Sequence, residues 1–256
     1  MKLNFISKPN LPSSRVGELI IGTRYRSLLE NALNRLGIEV LSCPDNNRLS
    51  NEVRGHVDLS IVHLGGKSLV IDSMLADSSP LFVKMLTNRG LELLTAEQQN
   101  ADRNITEYSL CSCLLGKHFI HSLKNTDKTV LSNLDEHTNI INVRQGYSKC
   151  SVCIVDDNSI ITSDSGIARA LRTAGISTLE ITPGYIYLKG YSYGFIGGSA
   201  FKISNNQLAF TGSLKFHPDC CRIERYLESK NIEPVYLNNE PIFDVGSAIL
   251  LREYSN

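Results

Sequence analysis

FDVGSAI (243–249) and FIGGSAF (195–201) share a pattern that returns in HVDLSIV (56–62), YSLCSCL (108–114) and YSKCSVC (147–153). A ring residue opens each segment: His56, Tyr108, Tyr147, Phe195, Phe243. A serine follows four positions later: Ser60, Ser112, Ser151, Ser199, Ser247. Successive serines are 52, 39, 48 and 48 residues apart, close to the period of a repeat architecture. Each segment is expected to be a strand.

Outward from these segments the same order recurs. A second short apolar run follows a polar hairpin in four cases, as in HLGGKSLV and KISNNQLA, where Gly65-Gly66 and Asn205-Asn206 suit two-residue turns. A helix-like stretch comes next. TRYRSLLENALNRLG spaces Leu28, Leu29, Ala32, Leu33 and Leu36 helically, and SSPLFVKMLTNRG carries Pro80 in a first turn. DSGIARALRTAG and HPDCCRIERYLESKN follow the same plan, and NTDKTVLSNLDEH is a short version. Gly37, Gly90, Gly175 and Asn231 are expected left-handed helix ends before the strands GIEVLS, GLELLT, GISTLEI and NIEPVYL. TNIINV completes the remaining unit.

The unit is β-β-α-β, five times over, with boundaries near 16–62, 63–114, 115–153, 154–201 and 202–251 of a single domain. FDVGSAILL (243–251) has no hairpin partner after it. It is expected to pair with VGELIIG (16–22) and close the ring, which removes exposed sheet edges. The fold class read here is therefore α/β: a five-bladed, pseudo-fivefold α/β propeller of ββαβ repeats, with the serine segments nearest the axis.

Composition bounds the function. The chain has 26 Lys+Arg and 26 Asp+Glu, so it lacks the basic surplus of bulk nucleic-acid binding, and no nucleic-acid partner is expected. No apolar run is long enough to span a bilayer, so no membrane partner is expected either. The N-terminus MKLNFISKPNLPSS has no apolar run of the secretory kind. Seven cysteines, an odd number, then suggest reduced thiols and a cytoplasmic location. Cys150 and Cys153 lie three apart in an expected strand and would face opposite ways, so no joint metal site is expected of them. Cys111, Cys113 and Cys150 can approach one another near the axis, chiefly as packing groups. Gly197-Gly198 lacks the Lys-Ser/Thr ending of a phosphate loop, and no cofactor motif or metal site is expected.

Five β-β-α-β units in a ring resemble the pentein, or guanidine-modifying-enzyme, fold. That group includes arginine, agmatine and peptidyl-arginine deiminases, amidinotransferases, dimethylargininase and non-catalytic ribosome-assembly factors. Phe195-Ile196-Gly197-Gly198-Ser199 resembles the E-G-G-small motif of deiminases, with Ile196 at the acidic position. Gly55-His56-Val57-Asp58 is similar to their G-H-x-D motif, displaced to the first unit. QGYSKCSVCIV, YGFIGG and TGSLKFHPD resemble an uncharacterised pentein family of clostridial-type bacteria. The resemblance implies a nucleophilic Cys in the last unit, but Leu250 stands at that position. A covalent thiol step is therefore not available there, since leucine cannot attack an amidine carbon.

Other polar residues gather on the expected inner strands: His56, Asp58 and His63 on one, Lys149 and Cys150 on another, and Asp244 on a third. They can line an axial pocket, act as acid and base or bind a metal, or they can hold neighbouring units together. Two glycines beside the serines, Gly198 and Gly246, leave space on one side. The expected occupant is a small polar ligand, amino-acid-like or guanidino-like, with Lys149 meeting an anionic group and Asp58 or Asp244 an amine. The alternatives are a divergent hydrolase or transferase of guanidino compounds and a non-catalytic module that binds a macromolecule. The loop TPGYIYLKGYSYG (182–194), with four tyrosines, is a candidate cover for the pocket or a partner surface. Nothing in the sequence indicates an oligomeric state.

Overall fold

The computed structural model describes residues 2–97 and 106–255, so part of the second expected unit, 98–105, lies outside the described residues. The chain opens with β1 (Leu3–Phe5), β2 (Val16–Gly22), α1 (Thr23–Arg35) and β3 (Glu39–Cys43). Next come β4 (Ile61–Gly65), β5 (Ser68–Ile71), α2 (Ser73–Ser78), α3 (Pro80–Asn88) and β6 (Glu92–Thr95). They are followed by β7 (Cys113–Leu115), β8 (His118–His121), α4 (Lys128–Ser132) and β9 (Asn139–Asn142). Then α5 (Ser148–Ser151) leads to β10 (Cys153–Asp156), β11 (Ser159–Thr162), α6 (Ser165–Thr173) and β12 (Ser177–Glu180). The last are β13 (Ala200–Lys202), β14 (Gln207–Phe210), α7 (Cys220–Ser229), β15 (Glu233–Tyr236) and β16 (Ile249–Tyr254).

Four sheets share one wiring: β4-β5-β6, β7-β8-β9, β10-β11-β12 and β13-β14-β15. The first two strands of each pair antiparallel and the last two parallel. A parallel pair needs a crossover, and a helix supplies it each time. Helix starts are written in the sequence: the side chains of Asp72, Asp127 and Asp164 cap α2, α4 and α6 by accepting first-turn N–H bonds. Helix ends are too, since Gly37, Gly90, Gly175 and Asn231 all adopt φ between +55° and +82°.

The remaining sheet, the first in chain order, has the order β1-β16-β2-β3. Here the last strand of the chain stands antiparallel to β2, where the other sheets use their own first strand. The expected pairing of the C-terminus with 16–22 is present, but it begins at Ile249 rather than at Phe243. Phe243 instead makes an isolated parallel bridge to Tyr187, and the chain turns away from the ladder at Gly246 and Ser247, whose φ are +72° and +61°. β1, for which the sequence has no periodic signal, pairs with β16 along its other edge.

The serine segments differ from expectation in a regular way. Val57–Leu59 form a 3₁₀ turn and Ser148–Ser151 a helical turn, not strands. Ser60, Ser112 and Ser199 each stand one residue before a strand, and Ser151 and Ser247 two. The five serines stand at like places before strands, in turns rather than in the strands expected of them. These turns bond to one another across the chain. Asp58 N donates to Gly246 O, Lys149 N to Cys111 O, Gly198 N to Cys150 O, and both Val245 N and Ser247 N to Gly198 O.

Apolar burial ties neighbouring sheets in chain order. One cluster joins β2 and α1 to β14 through Leu19, Leu33 and Ala209; others join the first sheet to the second, second to third, third to fourth and fourth to fifth. Each fully buried leucine or isoleucine contributes about 1.5–3 kcal/mol. Leu250 belongs to the first of these clusters at 2% exposure, so its role is packing.

Candidate functional site

Three turns that precede strands converge on one cavity. The turn before β4 supplies His56, α5 supplies Cys150, and the segment before β16 supplies Asp244. Their placement depends on glycine. A side chain at Gly246 would collide with His56, and one at Gly198 with the Asp244 carboxylate. The space left by these two glycines is thus filled by the side chains of His56 and Asp244 rather than left open. Asp244 is held on both oxygens: Oδ2 accepts from Phe195 N at 2.8 Å and Oδ1 from Gly246 N at 2.9 Å.

The cavity has a volume of about 270 Å³, just under the roughly 300 Å³ of the smaller common ligand sites. Its floor is His56, Cys150 and Asp244, and its walls include Tyr147, Tyr191, Tyr193 and Phe195. Tyr147 stacks on Phe195 at 6.2 Å, two repeated ring residues forming one aromatic wall, and Tyr108 backs Tyr147 at 5.1 Å from outside the cavity. The tyrosine loop contributes Tyr191 and Tyr193 to the rim, whereas Tyr185 packs on His217 and Tyr187 is exposed.

The floor carries negative charge and no lysine or arginine lines the cavity. Asp58 lies behind Cys150, whose thiol donates to Asp58 Oδ2 at 2.8 Å. Burial pushes the Asp58 carboxyl up to about 7, although the Cys150 bond and Lys149 pull it down. Burial also raises the Cys150 thiol well above its ordinary value, helped by the neighbouring Cys111 and carboxylates. His56 is lowered by burial, so its contact with Asp244 (Nδ1 to Oδ1, 3.8 Å) is between a neutral ring and a carboxylate rather than an ion pair. His56 Nε2 and Asp58 Oδ1 make no hydrogen bond.

The six expected site residues are divided. His56, Cys150 and Asp244 line the cavity, and Asp58 stands at its back. Lys149 and His63 do not reach it. Lys149 Nζ donates to Ser247 Oγ at 2.8 Å, and His63 Nε2 lies 3.1 Å from Gly66 O. With Asp58 they line a separate gap of about 10 Å³, too small for more than a water. The expected meeting of Lys149 with an anionic ligand beside Asp244 is therefore not supported by this geometry. Of the three thiols, Cys111 and Cys150 meet at 3.7 Å, while Cys113 packs into the apolar cluster between the third and fourth sheets.

A family profile described as "Family of unknown function (DUF6873)" matches residues 20–249. The chain belongs to this family. No curated protein matches it. In structure it is similar to SxtG, an amidinotransferase from Microseira wollei in the saxitoxin biosynthetic pathway, at 8% identity, with 98% of each chain covered and a TM-score of 0.60. It is also similar to the inosamine-phosphate amidinotransferase StrB1 from Streptomyces griseus (9% identity, 99% of this chain and 98% of that one, TM-score 0.58). A third likeness is to C. jejuni agmatine deiminase (14%, 93% and 91%, 0.52). The DUF6873 chain thus has a mixed α/β fold of five small sheets like that of these structures, consistent with a pentein-like fold. No helix among its described residues is long and apolar enough to cross a membrane.

Most of the cavity wall carries a sequence signal: Leu188, Tyr191, Ser192 and Tyr193 lie in the loop 182–194 expected as a candidate cover, and Tyr147 and Phe195 are repeated ring residues, whereas nothing in the sequence marks Val53. Among the described residues, His56, Asp58 and Cys150 are the one cluster whose ligand atoms all lie within 4.8 Å of one another.

Proposed function

We propose that this DUF6873 chain binds a small organic cation of the guanidino or amidino class in the 270 Å³ cavity. The carrying observation is the Asp244 carboxylate, fixed by two backbone N–H bonds and facing aromatic walls in a cavity that no lysine or arginine lines. Each carboxylate oxygen keeps a free lone pair, enough for a planar cation to bond both. Tyr147, Tyr193 and Phe195 offer faces on which such a cation stacks. Asp58 adds charge from behind Cys150. The structural neighbours named as amidinotransferases and an agmatine deiminase are consistent with this class of ligand.

The frame of this reading is a single domain in which five sheets form a closed five-bladed propeller of ββαβ repeats. Its support is the run of apolar clusters, each shared by two neighbouring sheets, with the last sheet meeting the first. The hydrogen-bonded turns, on this account, surround the axis. The proposed partner is a small molecule rather than a macromolecule, bound in the cytoplasm.

A second reading is favoured by one observation. Cys150 brings a thiol to the floor beside His56 and Asp58, from a different unit than the superfamily nucleophile that Leu250 replaces. A bound cation would lower the thiol pKa and allow attack on the amidine carbon. The two readings separate by intact-protein mass spectrometry after incubation with guanidino compounds. Binding alone predicts a non-covalent complex that dissociates on denaturation, with no ammonia release. A mass increment retained on Cys150 supports the second reading instead.

A further inference from the structure

Three buried side chains from two turns leave unused coordinating capacity at the cavity floor. His56 is 2% exposed, Asp58 1% and Cys150 1%. One ligand atom of each lies within 4.8 Å of the other two. Two atoms of this group, His56 Nε2 and Asp58 Oδ1, make no hydrogen bond although fully buried. A buried polar atom without a partner costs about 1–3 kcal/mol, so two in one cluster call for an occupant. A nitrogen, an oxygen and a sulfur donor are the ligand set of a zinc-type ion rather than of magnesium or calcium.

We propose that His56, Asp58 and Cys150 bind a divalent zinc-type ion, with a fourth position open to the cavity. Charge balances: the Cys150 thiolate and the Asp58 carboxylate together neutralise the dication. On binding, the ion takes the place of the Cys150 S–H proton, which now points at Asp58 Oδ2 over 2.8 Å and is released to solvent. Bonds of about 2.3 Å to sulfur and 2.0 Å to oxygen set those two atoms roughly 3.5 Å apart at a tetrahedral angle, so this contact opens by several tenths of an ångström. Outer-shell partners already stand in place. Cys111 Sγ donates to Cys150 Sγ at 3.7 Å, and Asp244 Oδ1 lies 3.8 Å from His56 Nδ1, the carboxylate neighbour that metal-bound imidazoles usually have. The open position faces the cavity because His56 and Cys150 both line it.

The proposal shares a floor with the organic-cation site but does not depend on that ligand, and its test uses metal ions alone. Chelator-treated unaltered protein is titrated with Co²⁺ and then Zn²⁺. One Co²⁺ per chain should bind and give a thiolate-to-cobalt charge-transfer band, which Zn²⁺ then abolishes by displacement. Cys150→Ser should lose the band, and Cys221→Ser, altered on the exposed face of α7, should keep it. X-ray absorption at the zinc edge of the unaltered protein should show one sulfur at about 2.3 Å with nitrogen and oxygen at about 2.0 Å, a readout that needs no variant to fold. No band, a shell without sulfur, or binding unchanged in Cys150→Ser overturns the assignment.

Discussion

The carboxylate of Asp244 occupies the volume that any side chain at Gly198 would need. The same glycine donates its N–H to Cys150 O and accepts from both Val245 and Ser247. It therefore fixes the distance between the two functional turns it separates. Gly198→Ala should cost about 1–3 kcal/mol through overpacking and move Asp244 off its site. Thermal unfolding and ligand titration check this together. Wild-type stability with wild-type binding would show that the fit around Gly198 is loose.

Asp58 should make stability depend on pH. Its carboxyl sits at about 7 in the folded chain, against an ordinary value of 3.8. Between roughly pH 4 and 7 the folded state holds a proton that the unfolded state has lost, so this group's contribution falls as pH rises. Asp58→Asn should flatten denaturant midpoints across that window. Affinity for an organic cation runs the other way, rising through about pH 7 as Asp58 ionises, and the Asn variant should not show the rise. A wild-type curve that rises from pH 4 to 7, with the same rise in Asp58→Asn, would assign the pH dependence to other groups.

The thiols should differ widely in reactivity. Cys221 is exposed, while Cys43, Cys111, Cys113, Cys150 and Cys153 are buried. Burial raises the Cys150 thiol, so little thiolate forms near neutral pH. Alkylation followed by peptide mapping should modify Cys221 first and Cys150 last or only after unfolding. Labelling of Cys150 at the rate of Cys221 would mean an activated thiol, and would favour the covalent reading.

How far the fold is legible in the sequence depends on what fixes each element. The strand–helix–strand runs are local: Pro80 starts α3, Asp164 caps α6, and Asn231 ends α7 in a left-handed turn. The serine segments are not. HVDLSIV alternates apolar and polar residues as a strand does, but Asp58 N bonds Gly246 O at the far end of the chain, and that contact holds a turn. The site was half legible for the same reason. His56, Asp58, Cys150 and Asp244 converge as their positions beside the serines suggest. Lys149 and Cys150 are consecutive on one helical turn and diverge, one to Ser247 and the other into the cavity. No sequence pattern records that choice.

The β16 pairing should govern cooperativity. β16 bonds β1 on one side and β2 on the other, and its Leu250 and Leu251 sit in two different apolar clusters. Deleting residues 249–256 exposes β2 as an unpaired edge. Unfolding should broaden or lose its single transition, with amide protection lost first in β1 and β2. A truncated chain that unfolds as sharply as the intact one would show that these sheets are stable without closure.

Calorimetric titration of the unaltered chain and of Asp244→Asn with a panel of guanidino, amidino, carboxylate and phosphate compounds tests the central claim most directly. The account predicts saturable binding of at least one guanidino or amidino compound, none of the anions, and a loss of about 10- to 100-fold in Asp244→Asn, the worth of one charged hydrogen-bonded contact. Tight binding of an anion, or cation binding indifferent to Asp244→Asn, would contradict it.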